Sequence, residues 1–180
     1  MAVDHEYVLG THDAEIARLG LQHNVWRARA VNGWIGAGFS VGKTLLDVGC
    51  GPGYAALDLA EIVGPTGRIV AIDRSERFLT RLRSQAAARA LTNIETFERD
   101  LDTDDLPPVT ADGAWVRWVF AFVQQPKRLL EKIAQRLAPG GTIVIHEYFD
   151  YRTWRLAPRS EIFEWSRSNG KMEPSLWRRA

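Results

Sequence analysis

The sequence predicts an α/β domain on a doubly wound, mostly parallel sheet of about five strands. Two observations predict it. Short apolar, strand-like runs alternate with helix-patterned stretches from residue 44 onward, the rhythm of strand–helix–strand units. A glycine-rich turn, with Gly49, Gly51 and Gly53 at every second position, separates the first such run from the helix that follows it.

The elements follow in order. Thr11–Phe39 has helical spacing, with Ile16, Leu19, Val25, Trp26 and Ile35 as apolar marks, and is expected as two helices broken around Gly20 and again at Gly33–Gly38. Thr44–Val48 is the first strand. Tyr54–Val63 is a helix ended by Gly64-Pro65, and Arg68–Ile72 is the second strand. Ser75 is placed to cap a helix running through Ala90, with Phe78, Leu79, Leu82 and Ala86 toward the sheet. Ile94–Glu98 is the third strand. The acidic stretch Asp100–Asp105, closed by Pro107-Pro108, reads as a solvated connection and not as a metal site. Gly113–Val116 is the fourth strand. Pro126 suits the first turn of a helix running to Leu137, Ala138–Gly141 is a turn, and Thr142–His146 is the fifth strand. Parallel strands joined by right-handed crossovers put their C-terminal ends on one edge. Asp47, Asp73, Asp100, Val116-Arg117 and His146-Glu147 therefore converge on one rim. Residues 1–39 are read as a helical lid, 40–151 as the core and 152–180 as a basic, aromatic tail.

Composition bounds the function. The chain has 180 residues, enough for one domain with a sizeable core. Its 46% apolar and 25% charged content is that of an ordinary soluble protein. A net charge of +1 gives no general pull toward nucleic acid. The first residues lack a basic start and an apolar core, so no signal peptide is read there. The aromatic-apolar run Ala114–Val123 is interrupted by Arg117 and is too short to span a bilayer. No membrane association and a cytoplasmic location are the expectations. Cys50 is the one cysteine, which leaves no internal disulfide and no cysteine-cluster metal site.

The glycine turn ends a strand and opens a helix, where an open α/β sheet binds a nucleotide-like ligand. A nicotinamide site wants G-x-G-x-x-G, and Tyr54 stands at its last position. Gly42-Lys43-Thr44 imitates the end of a phosphate-binding loop, but Ala37 occupies the required glycine position and the segment leads into a strand. Asp73 follows Gly53 by 20 residues, at the end of the second strand, where a carboxylate can accept from both ribose hydroxyls. For any one of Asp47, Asp73 and Asp100, a capping or turn role is the simpler alternative. Three on adjacent strand ends form a far more specific constellation.

The G-x-G-x-G turn with Asp47 two residues ahead resembles motif I of the class I S-adenosylmethionine (SAM)-dependent methyltransferases. The turn Leu137–Gly141 and the segment Arg117–Val123 also resemble that family, closest to its small-molecule branch with the quinone-biosynthesis type. The resemblance covers about residues 40–150. It implies a Rossmann-like fold with SAM as cofactor and a small-molecule acceptor as partner. The implied cofactor site comprises Asp47, Gly49, Cys50, Gly51, Gly53, Asp73, Arg74, Asp100, Leu101, Arg117 and Gln22. Asp47 suits the ammonium of SAM, Asp100 the adenine amino group, and Leu101 the face of the ring. Arg117 either meets the methionine carboxylate or pairs with the acidic loop. Arg18, Gln22, His23 and Trp26 share one helix face and lid the site or pack on the sheet, with Tyr7 as a further candidate. The family's base-modifying Asn/Asp-Pro-Pro-Tyr motif is absent after the fourth strand, where Val116-Arg117-Trp118-Val119 stands, so nucleic acid is not the expected acceptor.

The sequence departs from the family at its end. Residues 152–180 show no pair of β-like runs, so the usual C-terminal β-hairpin is expected to be missing and the domain shortened. The fifth strand would then lie nearer an edge. The tail, or a second copy of the chain in a homodimer, is expected to cover it; a partly disordered tail is the alternative. The methyl group of SAM is already activated, so alignment and exclusion of water carry most of the catalysis. His146 is a candidate base or a structural histidine. Glu147 orients an acceptor or binds the N-terminal helices, and Tyr148 lies beside them. The rival reading is a SAM-binding protein without turnover.

Overall fold

Alternate residues of each strand face opposite sides of a sheet, and here that alternation divides the core in two. In the computed structural model, which describes residues 11–147, five parallel strands run β1 (Thr44–Val48), β2 (Arg68–Asp73), β3 (Ile94–Glu98), β4 (Ala111–Arg117) and β5 (Leu137–His146). Their order across the sheet is β3-β2-β1-β4-β5, with β1 at the centre. Leu45, Ile69, Ala71 and Trp115 face a core shared with helices α1 (Asp13–Gly36), α2 (Tyr54–Val63) and α3 (Glu76–Ala88). Leu46, Val48, Val70, Ile72, Ala114 and Val116 face the other, with Leu129 and Ile133 of α4 (Pro126–Ala134). This is the doubly wound α/β architecture that the alternation predicts.

Most elements stand within a residue or two of the expected bounds. Ser75 caps α3, its side chain accepting from the Phe78 amide, and Phe78, Leu79, Leu82 and Ala86 are buried. Two expectations are corrected. Residues 13–36 form one unbroken helix. Gly20 does not break it; the glycine makes room for the Tyr54 ring, whose hydroxyl lies 2.7 Å from where a Cβ would stand and donates to Ile16 O. The apolar marks mislead as well, because Val25 is 70% exposed and Ile35 is exposed. The buried stripe is Ile16, His23, Ala30 and Trp34, at heptad-like spacing with a histidine inside it. The second correction concerns Leu137–Gly141. This segment belongs to β5 and passes through an irregularity in the pairing opposite Ala111/Gly113, with Gly140 at φ +82°. α4 therefore ends at Ala134.

Among the described residues β5 pairs with β4 alone, and the cover expected over it from the tail falls outside them. Tyr7, Tyr148, the tail 152–180 and any C-terminal hairpin lie outside the described residues. No helix among the described residues is long and apolar enough to cross a membrane.

Gly53 joins the turn to the packing of α3. It is buried at φ +86°, and an added Cβ would stand 2.8 Å from the Leu82 Cβ. Left-handed backbone and overpacking each cost about 1–3 kcal/mol. Gly53→Ala is therefore expected to lose about 2–4 kcal/mol in urea unfolding, and a loss below about 1 kcal/mol would contradict this packing.

Candidate functional site

The site begins with three consecutive amides. Gly49 N and Cys50 N donate to Ile72 O at 2.8 and 2.9 Å, and Gly51 N donates to Asp73 Oδ2 at 2.8 Å. The turn after β1 is thus bonded to the end of β2. Gly51 has φ +55°, and a Cβ there would meet nothing within 4 Å. Its glycine serves both the left-handed turn and an open approach to the backbone. Val119, after β4, closes over Gly49 on the inner side.

Asp73 is buried with both oxygens engaged. Oδ1 accepts from Ser75 N at 2.9 Å, opposite the Gly51 bond to Oδ2. These turn bonds do not exhaust the carboxylate, which has about four acceptor positions when ionised. Burial raises its pKa, against the amides of Ser75 and Gly51 and both the charge and the amide of Arg74. Its backbone oxygen accepts from Arg99 N at 2.9 Å, which brings the third carboxylate segment alongside. There Asp100 Oδ1 accepts from Asp102 N, and Leu101 packs toward the α4-side core. Lys132 Nζ donates to Leu101 O and Asp104 O and holds the loop to α4. Among the described residues no group of three or more His, Cys, Asp or Glu is placed for a metal ion.

Asp47 is buried with incomplete compensation. It is 2% exposed, and its Oδ2 has no hydrogen-bond partner. Burial pushes its pKa up to about 7; the charge of Arg117 opposes this and that of Asp73 adds to it. Cys50 is buried, with burial and the two carboxylates pushing its thiol up. That is the opposite of what a reactive thiol needs, so it stands as a small residue that fits the turn.

Arg117 ends β4. Its guanidinium lies over the Trp118 ring at 4.9 Å and the Trp115 ring at 5.8 Å, and its NH2 lies 3.1 Å from His23 Nδ1. Trp118 has φ +54°, a strained conformation for a bulky residue, held by its amide bond to His146 O. The His146 ring sits among Trp26, Trp118 and Trp115, with centroids 5.2, 5.4 and 6.0 Å away. Burial, then Arg117 and Arg29, lower its pKa. Glu147 Oε2 accepts from Phe120 N and ties the segment after β4 to the end of β5. Gln22 accepts from Arg18 on the neighbouring turn of α1.

The sequence reading missed Asp58. This carboxylate, 7% exposed, meets His23 Nε2 at 3.1 Å and Arg27 Nε at 2.7 Å. The available signal was a charge flanked by apolar residues, Leu57-Asp58-Leu59-Ala60, which demands partners once buried.

Comparison with known proteins agrees with this geometry. A family profile described as "Methyltransferase domain" matches residues 45–141. The demethylmenaquinone methyltransferase of Lactococcus lactis subsp. lactis is 29% identical over 126 residues, 70% of this chain and 49% of its own length. The carboxy-S-adenosyl-L-methionine synthase of Dichelobacter nodosus is 32% identical over 123 residues, 64% of this chain and 51% of its own. The chain thus spans about half the length of these relatives. A SAM-dependent methyltransferase from Aquifex aeolicus superposes with a TM-score of 0.55 at 25% identity, covering 65% of this chain and 61% of the other.

The strain on Asp47 has a measurable sign. Its folded pKa of about 7 lies above the reference 3.8, so between those values the native state holds the proton more tightly and stability falls as pH rises. Asp47→Asn removes that slope. The variant should match the wild type near pH 4 and exceed it by about 1–4 kcal/mol at pH 8; equal urea midpoints at pH 8 would show that Asp47 carries no such strain.

Proposed function

This chain belongs to the methyltransferase-domain family, and on that premise we propose that it binds SAM along the rim formed by β1, β2 and β3 and transfers a methyl group to a small-molecule acceptor. The observation that carries the reading is the buried Asp47 Oδ2, without a hydrogen-bond partner, beside a glycine turn open at Gly51. A ligand ammonium fits this oxygen and would offset the cost of ionising it.

The remaining residues take roles that their positions support. Asp73 offers its remaining acceptor capacity to ribose hydroxyls, oriented by the bonds to Gly51 and Ser75, with Arg74 beside it. Asp100 and Leu101 lie where an adenine edge and face would be met. Arg117 is the cation for a carboxylate at the methionine end, and Gln22 on α1 borders that end. SAM supplies a methyl group on a sulfonium, already activated for transfer. The protein's task is to align the acceptor and keep water out.

Similarity to a demethylmenaquinone methyltransferase supports a quinol-like or phenolic acceptor. His146 supports proton removal from such an acceptor, since burial and nearby arginines favour its neutral form. The bond from Phe120 N gives Glu147 a supporting role. The second reading, SAM binding without methyl transfer, is favoured by the similarity to a carboxy-S-adenosyl-L-methionine synthase.

Calorimetry with SAM tests the shared premise, and radiolabelled methyl transfer to reduced naphthoquinones and phenols separates the readings. Gly51→Ala should cost about 1 kcal/mol of stability, because only the left-handed backbone resists it, yet reduce SAM affinity at least about tenfold by filling the approach. An unchanged affinity would place the ligand elsewhere. No binding of SAM at millimolar concentration would end both readings.

A further inference from the structure

We propose that His23 is a positioning residue of the cofactor site, whose unprotonated Nδ1 holds the Arg117 guanidinium at the rim while Asp58 fixes the ring from behind. The proposal rests on the reading above, in which Asp47 and Arg117 meet the amino-acid end of SAM.

The two ring nitrogens face opposite chemistry. Nδ1 lies 3.1 Å from Arg117 NH2, and Nε2 lies 3.1 Å from Asp58 Oδ2. A guanidinium can only donate, so Nδ1 presents its lone pair; the proton then sits on Nε2 and is donated to Asp58. The geometry thus selects one neutral tautomer. Asp58 is itself held by Arg27, through Nε at 2.7 Å and NH2 at 3.1 Å. Burial would raise its pKa, but the hydrogen bonds from His23 and Arg27 and the charge of Arg27 outweigh burial and keep it below the usual carboxylate range. The ring also stacks on Tyr54, 5.7 Å away at 25°, and Tyr54 is the first residue of α2, directly after the glycine turn.

The choice of side chain makes chemical sense. Arginine is long and has many rotamers, and holding it in place beforehand removes that ordering cost from ligand binding. A carboxylate in the place of His23 would also hold Arg117, but it would neutralise the charge that a ligand carboxylate needs and that eases ionisation of Asp47. A neutral imidazole acceptor holds the cation without adding a negative charge beside it.

The test measures binding of S-adenosylhomocysteine and of 5′-methylthioadenosine, which lacks the amino-acid end, to the full chain by calorimetry. His23→Phe keeps the stacking ring and removes the acceptor. It should weaken S-adenosylhomocysteine about tenfold and change 5′-methylthioadenosine by less than about twofold. His23→Asn, whose amide oxygen falls near the Nδ1 position, should restore the former to within about threefold of wild type. Adding His23→Phe to Arg117→Met should cost little beyond Arg117→Met alone, because both act through one cation. Should His23→Phe fold poorly, His23→Gln replaces it, since its oxygen falls nearer Nε2 and should not rescue. Equal weakening of both ligands, or no weakening of either, would overturn the positioning role. A wild-type chain that binds neither ligand would instead overturn the cofactor reading itself.

Discussion

The bond from the Gly51 amide to the Asp73 carboxylate, 2.8 Å long, is the constraint on which the rest of the site depends. A turn built from glycines has no side chains to hold it, so its amides must do so. Three successive amides, of Gly49, Cys50 and Gly51, anchor on the last two residues of β2. That fixes where α2 begins. Gly53 then brings Leu82 of α3 against the backbone at the same corner. Two strands and two helices are thereby registered around one short segment.

Burying Asp47 and Asp73 on neighbouring strands is costly, and the structure treats them unequally. Asp73 is compensated by amides on both oxygens. Asp47 leaves one oxygen without a partner and feels the charge of Asp73. A fold selected for stability alone has no reason to keep an unsatisfied buried carboxylate in its central strand, since removing such a group is neutral or favourable. Under the proposed function that residual strain is interaction energy held for a cationic ligand group, with Arg117 tuning how easily the carboxylate ionises.

The parallel core was legible because its signals are local. Strand periodicity, the Ser75 cap and the Gly64-Pro65 stop each act within a few residues, and the corresponding elements match the structure closely. The three carboxylates could be placed on one rim because parallel topology alone brings strand ends together. Reading failed where a residue's meaning depends on a distant partner. Gly20 looked like a helix breaker, but its absent Cβ makes room for Tyr54. Leu137–Gly141 looked like a turn, but pairing with β4 carries it into β5. Val25 and Ile35 looked like core, but the helix face is chosen by His23, Ala30 and Trp34. Apolar periodicity cannot reveal a stripe whose central member is a histidine.

That histidine explains why α1 belongs to the site and is more than a cover. Apolar packing of Ala30 and Trp34, with Trp34 meeting Trp115 edge-on at 5.2 Å, seats the C-terminal half of the helix on the sheet but is tolerant of small rotations. A buried Asp58 is not, because moving its partners away leaves a charge in the interior at a cost of several kcal/mol. His23 and Arg27, one turn apart, therefore set the rotation of α1 against α2. The same rotation aims Nδ1 at Arg117. Docking of the N-terminal helix and placement of the Arg117 cation are one electrostatic event, so under the proposed function a change that loosens α1 should be felt first at the amino-acid end of the cofactor, and only afterwards at its nucleoside end.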